Sequence, residues 1–511
     1  MNRLAQITQR AWQAYVERIA GGAAGARWWT AVVVTASSDR QAQCYRQEIE
    51  RRRREQKVPD GVLYLVVPDP GNRRVGSGAA TLHALAALCA AEGLDLETHS
   101  LEEWWAGQRV LMIHSGGESR RLPQYSLTGK LFTALPVKTP WSEVSTVFDE
   151  TLALSTGWVA QLPNGLVVAS GDVVLTFDAS ALRWDRNGVT GVAMRQPVAT
   201  GAGHGVYVTD REGRVYTFLQ KPSAARVQAA GGLLPTGEVA LDTGLLRFDP
   251  ALSARLTLLG ATAGELPVTD LYEHFTLALT GAWKPPPEAP PLHRQLQGAL
   301  QGAPFWSCLV EGDFTHVGTT RSFRRLITEE SSFTELYAAQ RRLGAAGLPG
   351  VRSAGVVIDS VLAEGSELAP GALALECHLE HPVRAARGAI LHGLTDLPGP
   401  IEVPEDTVLH QVPVRLPDGR GGVAIRVYGD EDDPKLPAAS ATWLGQPLAE
   451  AFHALGLEAE AVWPGVPLAD RSLWNAALFP LATVEEAWRC ACWLAGLGTD
   501  YSLESWLRAG R

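Results

Sequence analysis

The stretch VLMIHSGGESRRLPQYSLTGKLFTALP, residues 110–136, joins a short apolar run to a loop rich in glycine and basic residues. The run has the length and composition of a buried strand, and open parallel sheets bind ligands at the carboxyl ends of such strands. Gly116 and Gly117 would let the backbone approach a phosphate closely, and exposed N–H groups there would attract an anion. Three basic residues of the same loop would offset the charge of a polyphosphate: Arg120, Arg121 and Lys130. The spacing is not that of a Walker A loop, and the alternative is a glycine turn beside a solvated basic face.

Short apolar runs and helical segments alternate on both sides of this loop. Before it, the pattern predicts helices over residues 3–20, 40–56 and 79–92 and strands over 29–36 and 62–67. After it, the pattern predicts strands over residues 166–169, 189–194, 205–208, 215–219 and 244–248. Alternation of short buried strands with helices predicts an α/β domain with a mainly parallel sheet.

A second glycine-rich loop, residues 69–81, also follows a predicted strand and opens a predicted helix. The N–H groups and the dipole of a helix N-terminus favour an anion. We therefore interpret Gly76, Ser77 and Gly78 as a second candidate nucleotide-binding turn, the alternative being a plain turn.

Two carboxylates and a lysine lie near the ends of predicted strands further along the chain. Asp172 follows the strand at 166–169 and would be well placed to hold Mg²⁺ that bridges phosphates. Lys221, in FLQKPS after another strand, would bind a monophosphate. Asp242, which precedes the strand at 244–248, is a candidate second metal ligand. The alternatives are turn aspartates and a surface lysine.

A different period begins after residue 350. Apolar or small residues recur at steps of six, as Val356, Leu362, Leu368 and Ala374 and as Ser360, Ser366 and Ala372. A six-residue period is typical of one face of a β-helix, in which each rung repeats a short strand and a tight turn; the alternative is a glycine-rich β meander. The predicted domains are an N-terminal helix (1–27), the α/β domain (28–325), a linker helix (326–350), a β-helix-like domain (351–435) and a C-terminal helical segment (436–511).

Composition excludes several classes of protein. The chain has 511 residues, 46% of them hydrophobic and 20% charged, which suits a folded globular protein. With 45 Lys and Arg against 55 Asp and Glu its net charge is −10, which argues against nucleic-acid binding. The apolar runs are far shorter than the ~20 residues that a membrane span needs, and the N-terminus lacks the apolar core of a secretory signal. Six cysteines in so long a chain predict no disulfide framework, so we expect a cytoplasmic protein with no membrane partner.

Six motifs together resemble the fucose-1-phosphate guanylyltransferase family, also called GDP-fucose pyrophosphorylase, which includes the N-terminal half of bifunctional fucokinase/GDP-fucose pyrophosphorylases. They are residues 69–85 (DPGNRRVGSGAATLHAL), 114–136 (HSGGESRRLPQYSLTGKLFTALP), 204–208 (HGVYV), 218–223 (FLQKPS), 316–320 (HVGTT) and 471–480 (RSLWNAALFP). The likeness covers nearly the whole chain from residue 29. It implies a Rossmann-like nucleotidyltransferase fold for the α/β domain.

The wider sugar-nucleotidyltransferase group carries a Gly-x-Gly-Thr-Arg-Leu loop that is followed by Pro-Lys. This sequence resembles that loop at Gly116, Gly117, Ser119, Arg121, Leu122 and Lys130. Ser here replaces Thr, and Gly129 stands where the wider group has Pro. The resemblance makes Asp172 and Asp242, the latter in LDTG (residues 241–244), the metal aspartates, and Lys221 the lysine that binds the sugar phosphate.

The resemblance implies that GTP and L-fucose 1-phosphate give GDP-L-fucose and pyrophosphate. The sugar phosphate would attack the α-phosphate of GTP in line, with Mg²⁺ as cofactor. The catalytic residues would be Arg121, Lys130, Lys221 and Asp172. The nucleotide would be bound by Gly76, Ser77, Gly78, Gly116, Gly117, Ser119 and Arg120, and the sugar by His204.

Two other functions compete with this interpretation. One is an L-fucokinase-type sugar kinase, although the Pro-x3-Gly-Leu-Ser-Ser-Ser element of fused relatives does not occur before the chain stops at Arg511. The other is a non-catalytic nucleotide-sugar-binding scaffold. The expected partners are GTP, a sugar 1-phosphate and a second copy of the chain bound through the β-helix-like domain. The identities of the sugar and the base rest on the resemblance alone.

Overall fold

The computed structural model describes residues 3–22, 27–142, 144–329, 335 and 350–509. They form two compact units, which we describe separately. The first unit consists of Met1–Glu118, Leu127–Thr133 and Thr146–His316, and the second of Ser119–Ser126, Ala134–Ser145 and Val317–Arg511. Residues 114–136, which we call the signature loop, contribute to both units. The predicted linker helix at 326–350 lies almost entirely outside the described residues.

Short strands and helices alternate along the chain. The strands are β1 Ala31–Ala36, β2 Leu63–Pro68, β3 Arg109–His114, β4 Ala134–Leu135, β5 Ser145–Thr146, β6 Gly165–Ser170, β7 Val173–Phe177, β8 Val189–Gln196, β9 Gly205–Thr209, β10 Val215–Gln220, β11 Val239–Phe248, β12 Phe305–Val310, β13 Gly312–His316, β14 Arg352–Ser353, β15 Val356–Ile358, β16 Val361–Leu362, β17 Glu367–Leu368, β18 Leu373–Leu375, β19 His378–Leu379, β20 Val383–Ala385, β21 Ile390–His392, β22 Ile401–Val403, β23 Thr407–Arg415, β24 Gly421–Gly429, β25 Thr442–Trp443 and β26 Gln446–Pro447. The α-helices are α1 Arg3–Ile19, α2 Asp39–Arg54, α3 Gly76–Ala91, α4 Leu101–Gly107, α5 Val147–Val159, α6 Val198–Gly201, α7 Ala224–Ala229, α8 Pro250–Thr262, α9 Thr276–Leu279, α10 Pro291–Leu300, α11 Thr320–Thr328, α12 Leu448–Ala454, α13 Ala459–Val462, α14 Val484–Leu494 and α15 Leu503–Arg508.

A nine-stranded sheet organises the first unit. Its order is β10-β9-β11-β6-β3-β1-β2, with β8 paired to β11 and β12 paired to β8. Strands β2, β1, β3 and β6 pair in parallel, whereas β11 is antiparallel to β6, β8 and β9. The α/β fold class that the alternation predicts is confirmed.

Burial explains why the first strands are continuous apolar runs. All six residues of β1 are buried, and parallel strands that are covered on both faces carry unbroken apolar sequence. Leu82 of α3 and Leu256 of α8 lie in the same hydrophobic core as Val33 of β1. This core supports the strand ends at which the candidate site lies.

Strand β11 begins at Val239, not at residue 244, so Asp242 lies within the strand instead of before it. The pairing of β11 with β8 shifts register between Asp242 and Leu246, and Gly244 in this interruption has a φ of +75°. Such a bulge leaves residues unpaired and bends the strand. The polar and glycine residues of the bulge break the apolar run, and for that reason the sequence pattern locates only the second half of β11.

Stacks of short parallel strands form much of the second unit. Val356 of β15 pairs with Leu373 of β18, which pairs with Ile390 of β21. Three stacks have this arrangement: β14-β17-β20-β22, β15-β18-β21-β23 and β16-β19. The amide of Cys377 donates to the hydroxyl of Ser360, 17 residues earlier. Three residues of the predicted six-residue period, Leu362, Leu368 and Ala374, share one hydrophobic core.

The C-terminal part of the second unit carries helices α12–α15 and the short pair β25–β26. Trp443, Trp463 and Trp506 are buried there, as expected of packing residues. Among the residues that the structure describes, no helix is both long and apolar enough to cross a bilayer.

Candidate active site

Strands β3 and β6 are neighbours in the sheet, and the candidate site begins at their carboxyl ends. His114 pairs with Ser170, and the N–H of Gly171 donates to the carbonyl of His114 at 2.8 Å. A Cβ at Gly171 would also lie 2.8 Å from that oxygen, so the approach requires glycine. The next residue, Asp172, is thereby held close to the start of the signature loop.

Asp172 is the centre of a cluster of polar side chains. The ammonium group of Lys130 donates to Asp172 Oδ2 at 3.0 Å, and His316 Nε2 lies 3.3 Å from the same oxygen. The Ser170 hydroxyl donates to Oδ1 at 2.7 Å. Burial alone would raise the pKa of Asp172, but the hydrogen bond with His316 and the charge of Lys130 outweigh it and hold that pKa well below its ordinary value. Asp172 is therefore an anion at neutral pH.

His316 is a site residue that the sequence analysis missed. It ends strand β13, and 144 residues separate it from Asp172 along the chain. The signal that could have found it is the HVGTT motif, residues 316–320, which carries the family resemblance but assigns no role to its histidine. The pairing of β13 with β7, the strand that follows Asp172, brings the two side chains together.

His204 lies next to His316, and the backbone of Lys221 in turn contacts His204. The ring centroid of His204 is 5.3 Å from that of His316 and 5.1 Å from that of Phe314. The N–H of Lys221 donates to the His204 carbonyl at 2.9 Å, and Lys221 has a φ of +44°, which is uncommon for a residue with a side chain and concentrates at functional sites. Burial, and after it the neighbouring His316, lowers the pKa of His204, so its ring is neutral at pH 7. The structure thus joins two predicted site residues to the Asp172 cluster.

Asp242 forms a buried polar pair with Tyr207. The Tyr207 hydroxyl donates to Asp242 Oδ1 at 2.6 Å, and the N–H of Gly244 donates to the same atom at 2.9 Å. Burial raises the pKa of Asp242 to about 6 in spite of these two hydrogen bonds. A Cβ added to Gly244 would lie 3.3 Å from the Cβ of Ser170. The bulge after Asp242 therefore packs against the strand end that leads to Asp172.

These two carboxylates suit a magnesium ion. Within the described ranges, no group of three or more His, Cys, Asp or Glu side chains could hold a metal by itself. Mg²⁺ is usually bound by one or two carboxylates together with water and substrate phosphates, so Asp172 and Asp242 are residues of the type that could hold it. Asp172 is ionised, and a nearby cation would lower the raised pKa of Asp242 and favour its charged form.

At the second glycine turn, residues 76–78, another segment of the same chain forms hydrogen bonds with the backbone and with Ser77. The N–H groups of Gly78 and of the residue after it both donate to the Thr269 carbonyl, at 2.8 and 3.2 Å. The Ser77 hydroxyl donates to Asp270 at 3.2 Å. Gly76 has a φ of +80°, and a Cβ there would lie 2.4 Å from the Thr269 oxygen. These contacts give the turn a packing role, and its nucleotide contacts stay a prediction.

Two predicted nucleotide ligands, Ser119 and Arg120, and the predicted catalytic residue Arg121 belong to the second unit. There the N–H of Thr320 donates to the Arg121 carbonyl at 2.9 Å. The guanidinium group of Arg120 lies 5.6 Å from the ring centroid of Trp474, in the RSLWNAALFP motif. This cation–π contact gives that motif a partner in the signature loop. The phosphate contacts of the three residues stay predictions.

Arg426 of β24 holds the following part of the signature loop within the second unit. Its guanidinium group donates to the Pro123 carbonyl and to the Ser126 hydroxyl, both at 3.2 Å. The ring centroid of Tyr125 lies 5.7 Å from that of Phe323 and 5.3 Å from that of His392. These contacts anchor residues 123–126, whereas the side chain of Arg121 just before them is exposed.

Comparison with known proteins agrees with the family resemblance. A family model described as a fucose pyrophosphorylase domain matches residues 102–484. The chain is 28% identical to the bifunctional fucokinase/GDP-fucose pyrophosphorylase of Arabidopsis thaliana, over 93% of this chain and 49% of that protein. It is 25% identical to the fucose-1-phosphate guanylyltransferase of Mus musculus, over 94% of this chain and 89% of that protein. It is 26% identical to the L-fucokinase/L-fucose-1-P guanylyltransferase of Bacteroides fragilis, over 76% of this chain and 40% of that protein.

The comparisons indicate a nucleotidyltransferase enzyme, and an α/β sheet with a lysine, an ionised carboxylate and a glycine loop near two strand ends is compatible with that class. The matched family model spans most of the chain. The chain therefore belongs to the fucose pyrophosphorylase family, as the motifs indicate. It spans about half the length of the plant relative and about two fifths of the Bacteroides relative, whose names both include a fucokinase.

Proposed function

We propose that this chain makes GDP-L-fucose and pyrophosphate from GTP and L-fucose 1-phosphate. The names of its relatives support the proposal. The observation that carries it is the Lys130–Asp172 pair, 3.0 Å apart, close to the ends of two adjacent parallel strands. Such a pair offers a cation to a phosphate and a carboxylate to a metal at the edge where open α/β sheets bind ligands. The sugar kinase, by contrast, has no motif or side-chain cluster in its favour among the described residues.

The proposed reaction needs no protein nucleophile. An oxygen of the sugar 1-phosphate attacks the α-phosphorus of GTP and forms a new P–O bond. The bond from the α-phosphorus to the oxygen that bridges it to the β-phosphate breaks, and pyrophosphate leaves with that electron pair. Both reactants are anions, so the protein has to position them and offset their charge. We assign Lys130 to the triphosphate and Lys221 to the incoming sugar phosphate.

The histidines act on the sugar side of the proposed site. His204 has a neutral ring because burial lowers its pKa, and with Phe314 it forms an aromatic wall against which a sugar could pack. His316 contacts Asp172 and is assigned the role of orienting that carboxylate. The identity of the sugar rests on the relatives' names and not on these contacts.

Mg²⁺ is the proposed cofactor. Asp172 and Asp242 would hold it, and when bound it would offset the charge of the phosphate oxygens. Arg120 is proposed as a further ligand of the nucleotide, which is supported by its place in the signature loop. Arg121 is proposed as a catalytic residue that offsets the charge of the phosphates, which is supported by its similarity to the wider group's motif.

A pyrophosphate-release assay tests the proposed function. Each of the four nucleoside triphosphates is incubated with Mg²⁺ and with a panel of sugar 1-phosphates, including L-fucose 1-phosphate. We expect pyrophosphate only from the pair of GTP and L-fucose 1-phosphate. Release of ADP without pyrophosphate from L-fucose and ATP would favour the kinase. Nucleotide binding by calorimetry without any pyrophosphate release would favour the scaffold.

For the second unit we propose a β-helix that presents a surface to a second copy of the chain. The 17-residue step between stacked strands supports the β-helix. Four charged side chains of paired strands, of which Glu367 is half-buried, alternate in sign along one stack and form two ion pairs within it, Arg352 with Glu367 and Arg384 with Glu402. A twofold axis would place this row of charges against the same row of a second copy in the opposite order. Each arginine would then face a glutamate of the other copy, so the surface is complementary to itself, as an isologous interface requires. Light scattering should detect a dimer that Arg384→Glu weakens and that Arg384→Glu combined with Glu367→Arg restores; a monomer in all three would contradict the interface.

The proposed compartment is the cytoplasm. All six cysteines lie in the described part of the chain, and no disulfide joins them. Free thiols are the usual state in a reducing compartment.

A further inference from the structure

The first unit contains two segments of the signature loop, residues 114–118 and 127–133. Helix α2 contacts both of these segments. We propose that two side chains of this helix, Gln41 and Tyr45, are positioning residues that turn the carbonyls of the loop away from the substrate and set the place of Lys130. The inference rests on the proposed function, because it assigns these residues to the binding of a nucleoside triphosphate. Neither residue belongs to a motif that the sequence analysis singled out.

Tyr45 connects the beginning of the loop to its return. Its hydroxyl donates to the Ser115 carbonyl at 2.9 Å and lies 2.8 Å from the Ser115 hydroxyl. Its ring centroid lies 5.4 Å from that of Phe132. Tyr45 itself has no exposed surface. A single rigid side chain thus contacts residues on both sides of the segment that separates Ser115 from Lys130.

The same hydroxyl explains why glycine precedes Lys130. Gly129 has a φ of +67°, which proline cannot adopt because its ring holds φ near −65°. A Cβ at Gly129 would lie 1.9 Å from the hydroxyl oxygen of Tyr45. Tyr45 and Gly129 therefore fit each other, and together they place Lys130 where it reaches Asp172. The departure from the Pro-Lys pattern of the wider group has this steric cause.

Gln41 lies one helical turn before Tyr45, on the same face of α2. Its side-chain amide donates to the Gly117 carbonyl at 3.0 Å, and its side-chain oxygen accepts from the N–H of Ser37 at 2.7 Å. The side chain is buried, so both ends of its amide group are committed to these partners. Gln41 therefore fixes Gly117 in the way that Tyr45 fixes Ser115.

The two contacts leave the loop with its amides available. The carbonyls of Ser115 and Gly117 point at α2, whereas no described residue accepts a hydrogen bond from the N–H of Gly116 or of Gly117. Carbonyl dipoles repel a triphosphate and N–H dipoles attract it. Nor is there steric obstruction, because a Cβ added to Gly117 would meet nothing within 4 Å. By binding the carbonyls, α2 makes this turn an anion site.

Kinetics of Tyr45→Phe and Gln41→Leu test the inference. Tyr45→Phe keeps the ring and removes the hydroxyl; Gln41→Leu keeps the side-chain volume and removes the amide. The matched controls are Tyr64→Phe, which removes a buried hydroxyl that has no hydrogen-bond partner among the described residues, and Gln43→Leu on the exposed face of α2. Thermal unfolding is measured for all four, together with kcat and with KM for GTP and for L-fucose 1-phosphate separately.

We expect kcat/KM for GTP to fall about tenfold in each test variant, the size of one lost hydrogen bond in a preorganised site, with KM for L-fucose 1-phosphate unchanged. Calorimetry with GTP alone should show a matching loss of affinity. Equal changes in kcat/KM for GTP and for L-fucose 1-phosphate would overturn the inference, and so would kinetic constants equal to those of the control variants. If one variant fails to fold, the other decides. If the wild-type chain releases no pyrophosphate and binds no GTP, the proposed function fails and not this inference alone.

Discussion

The first unit contains two glycine turns that look alike in sequence and differ in what they contact. At the 76–78 turn the N–H groups of Gly78 and of the residue after it donate to the Thr269 carbonyl, so the chain supplies its own acceptor. At the turn of Gly116 and Gly117 the side chains of α2 bind the carbonyls of Ser115 and Gly117, and the N–H groups of the two glycines face no acceptor in the described residues. Glycine marks a close approach of the backbone in both places. The neighbouring element decides whether the N–H groups of the turn meet a protein acceptor or stay available.

If the chemistry belongs to the signature loop and not to the 76–78 turn, Lys130→Ala should cause the largest loss. We expect kcat to fall by about 10²–10³, as for the loss of one charge-stabilising group in an active site. The control is Lys57→Ala, which removes a lysine paired with Glu55 and should leave kcat unchanged. If Lys130→Ala kept a turnover near that of the wild type, the assignment of the chemistry to the signature loop would be wrong.

Gly76→Ala should reveal the packing role of the other turn. The new Cβ would overlap the Thr269 carbonyl, and the backbone would hold alanine at a φ of +80°. Overpacking and left-handed strain together predict a loss of about 3 kcal/mol in the free energy of unfolding. Denaturant titration measures it. The KM for GTP of the folded fraction then tests the nucleotide contacts predicted for Gly76: an unchanged KM would contradict them, and a rise in KM would support them.

Burial of Asp242 should make the stability of the protein depend on pH. The pKa of Asp242 is about 6 in the native protein and about 4 when unfolded, so the native state binds the proton more tightly and the free energy of unfolding falls as pH rises from about 4 to about 6, by about 3 kcal/mol. Asp242→Asn should remove the part of this pH-dependent fall in the free energy of unfolding that comes from Asp242. Denaturant titrations at pH 4.5 and pH 7 measure it.

The control for that experiment is Asp69, because burial also raises its pKa to about 6. Asp69→Asn should remove a similar part of the fall in the free energy of unfolding with rising pH. Addition of Mg²⁺ at pH 7 should stabilise the wild type and Asp69→Asn, but Asp242→Asn much less. An equal effect of Mg²⁺ on all three proteins would contradict the role of Asp242 as a metal ligand.

Gly117→Ala should have the smallest effect and is the closest counterpart of Gly76→Ala. A Cβ at Gly117 meets nothing within 4 Å, so the free energy of unfolding should change by about 0.5 kcal/mol at most. The methyl group would nevertheless lie beside an amide assigned to phosphate, and KM for GTP should rise by about fivefold, or about 1 kcal/mol. If Gly117→Ala lowered stability without any change in KM for GTP, this turn would have the packing role that we assign to the 76–78 turn.

Local patterns predicted a large part of the fold and part of the site. Apolar runs located strands β1, β2, β3 and β6, because strands buried on both faces need unbroken apolar sequence. The glycine and basic residues of the signature loop indicated phosphate chemistry at a strand end, and the motifs identified the family. The start of β11 was wrong, because a bulge after Asp242 interrupts the apolar pattern.

The sequence by itself determined the fold class, the family and the residue types that the proposed reaction needs, since these depend on neighbours along the chain. Tertiary structure alone decided the partners: His316 meets Asp172 across 144 residues, Tyr45 meets Ser115 across 70, and Thr269 fills the 76–78 turn. Such pairings follow from strand order, register and the packing of a helix against a loop. No local period records them, because a hydrogen bond depends on distance and direction in space and not on separation along the chain.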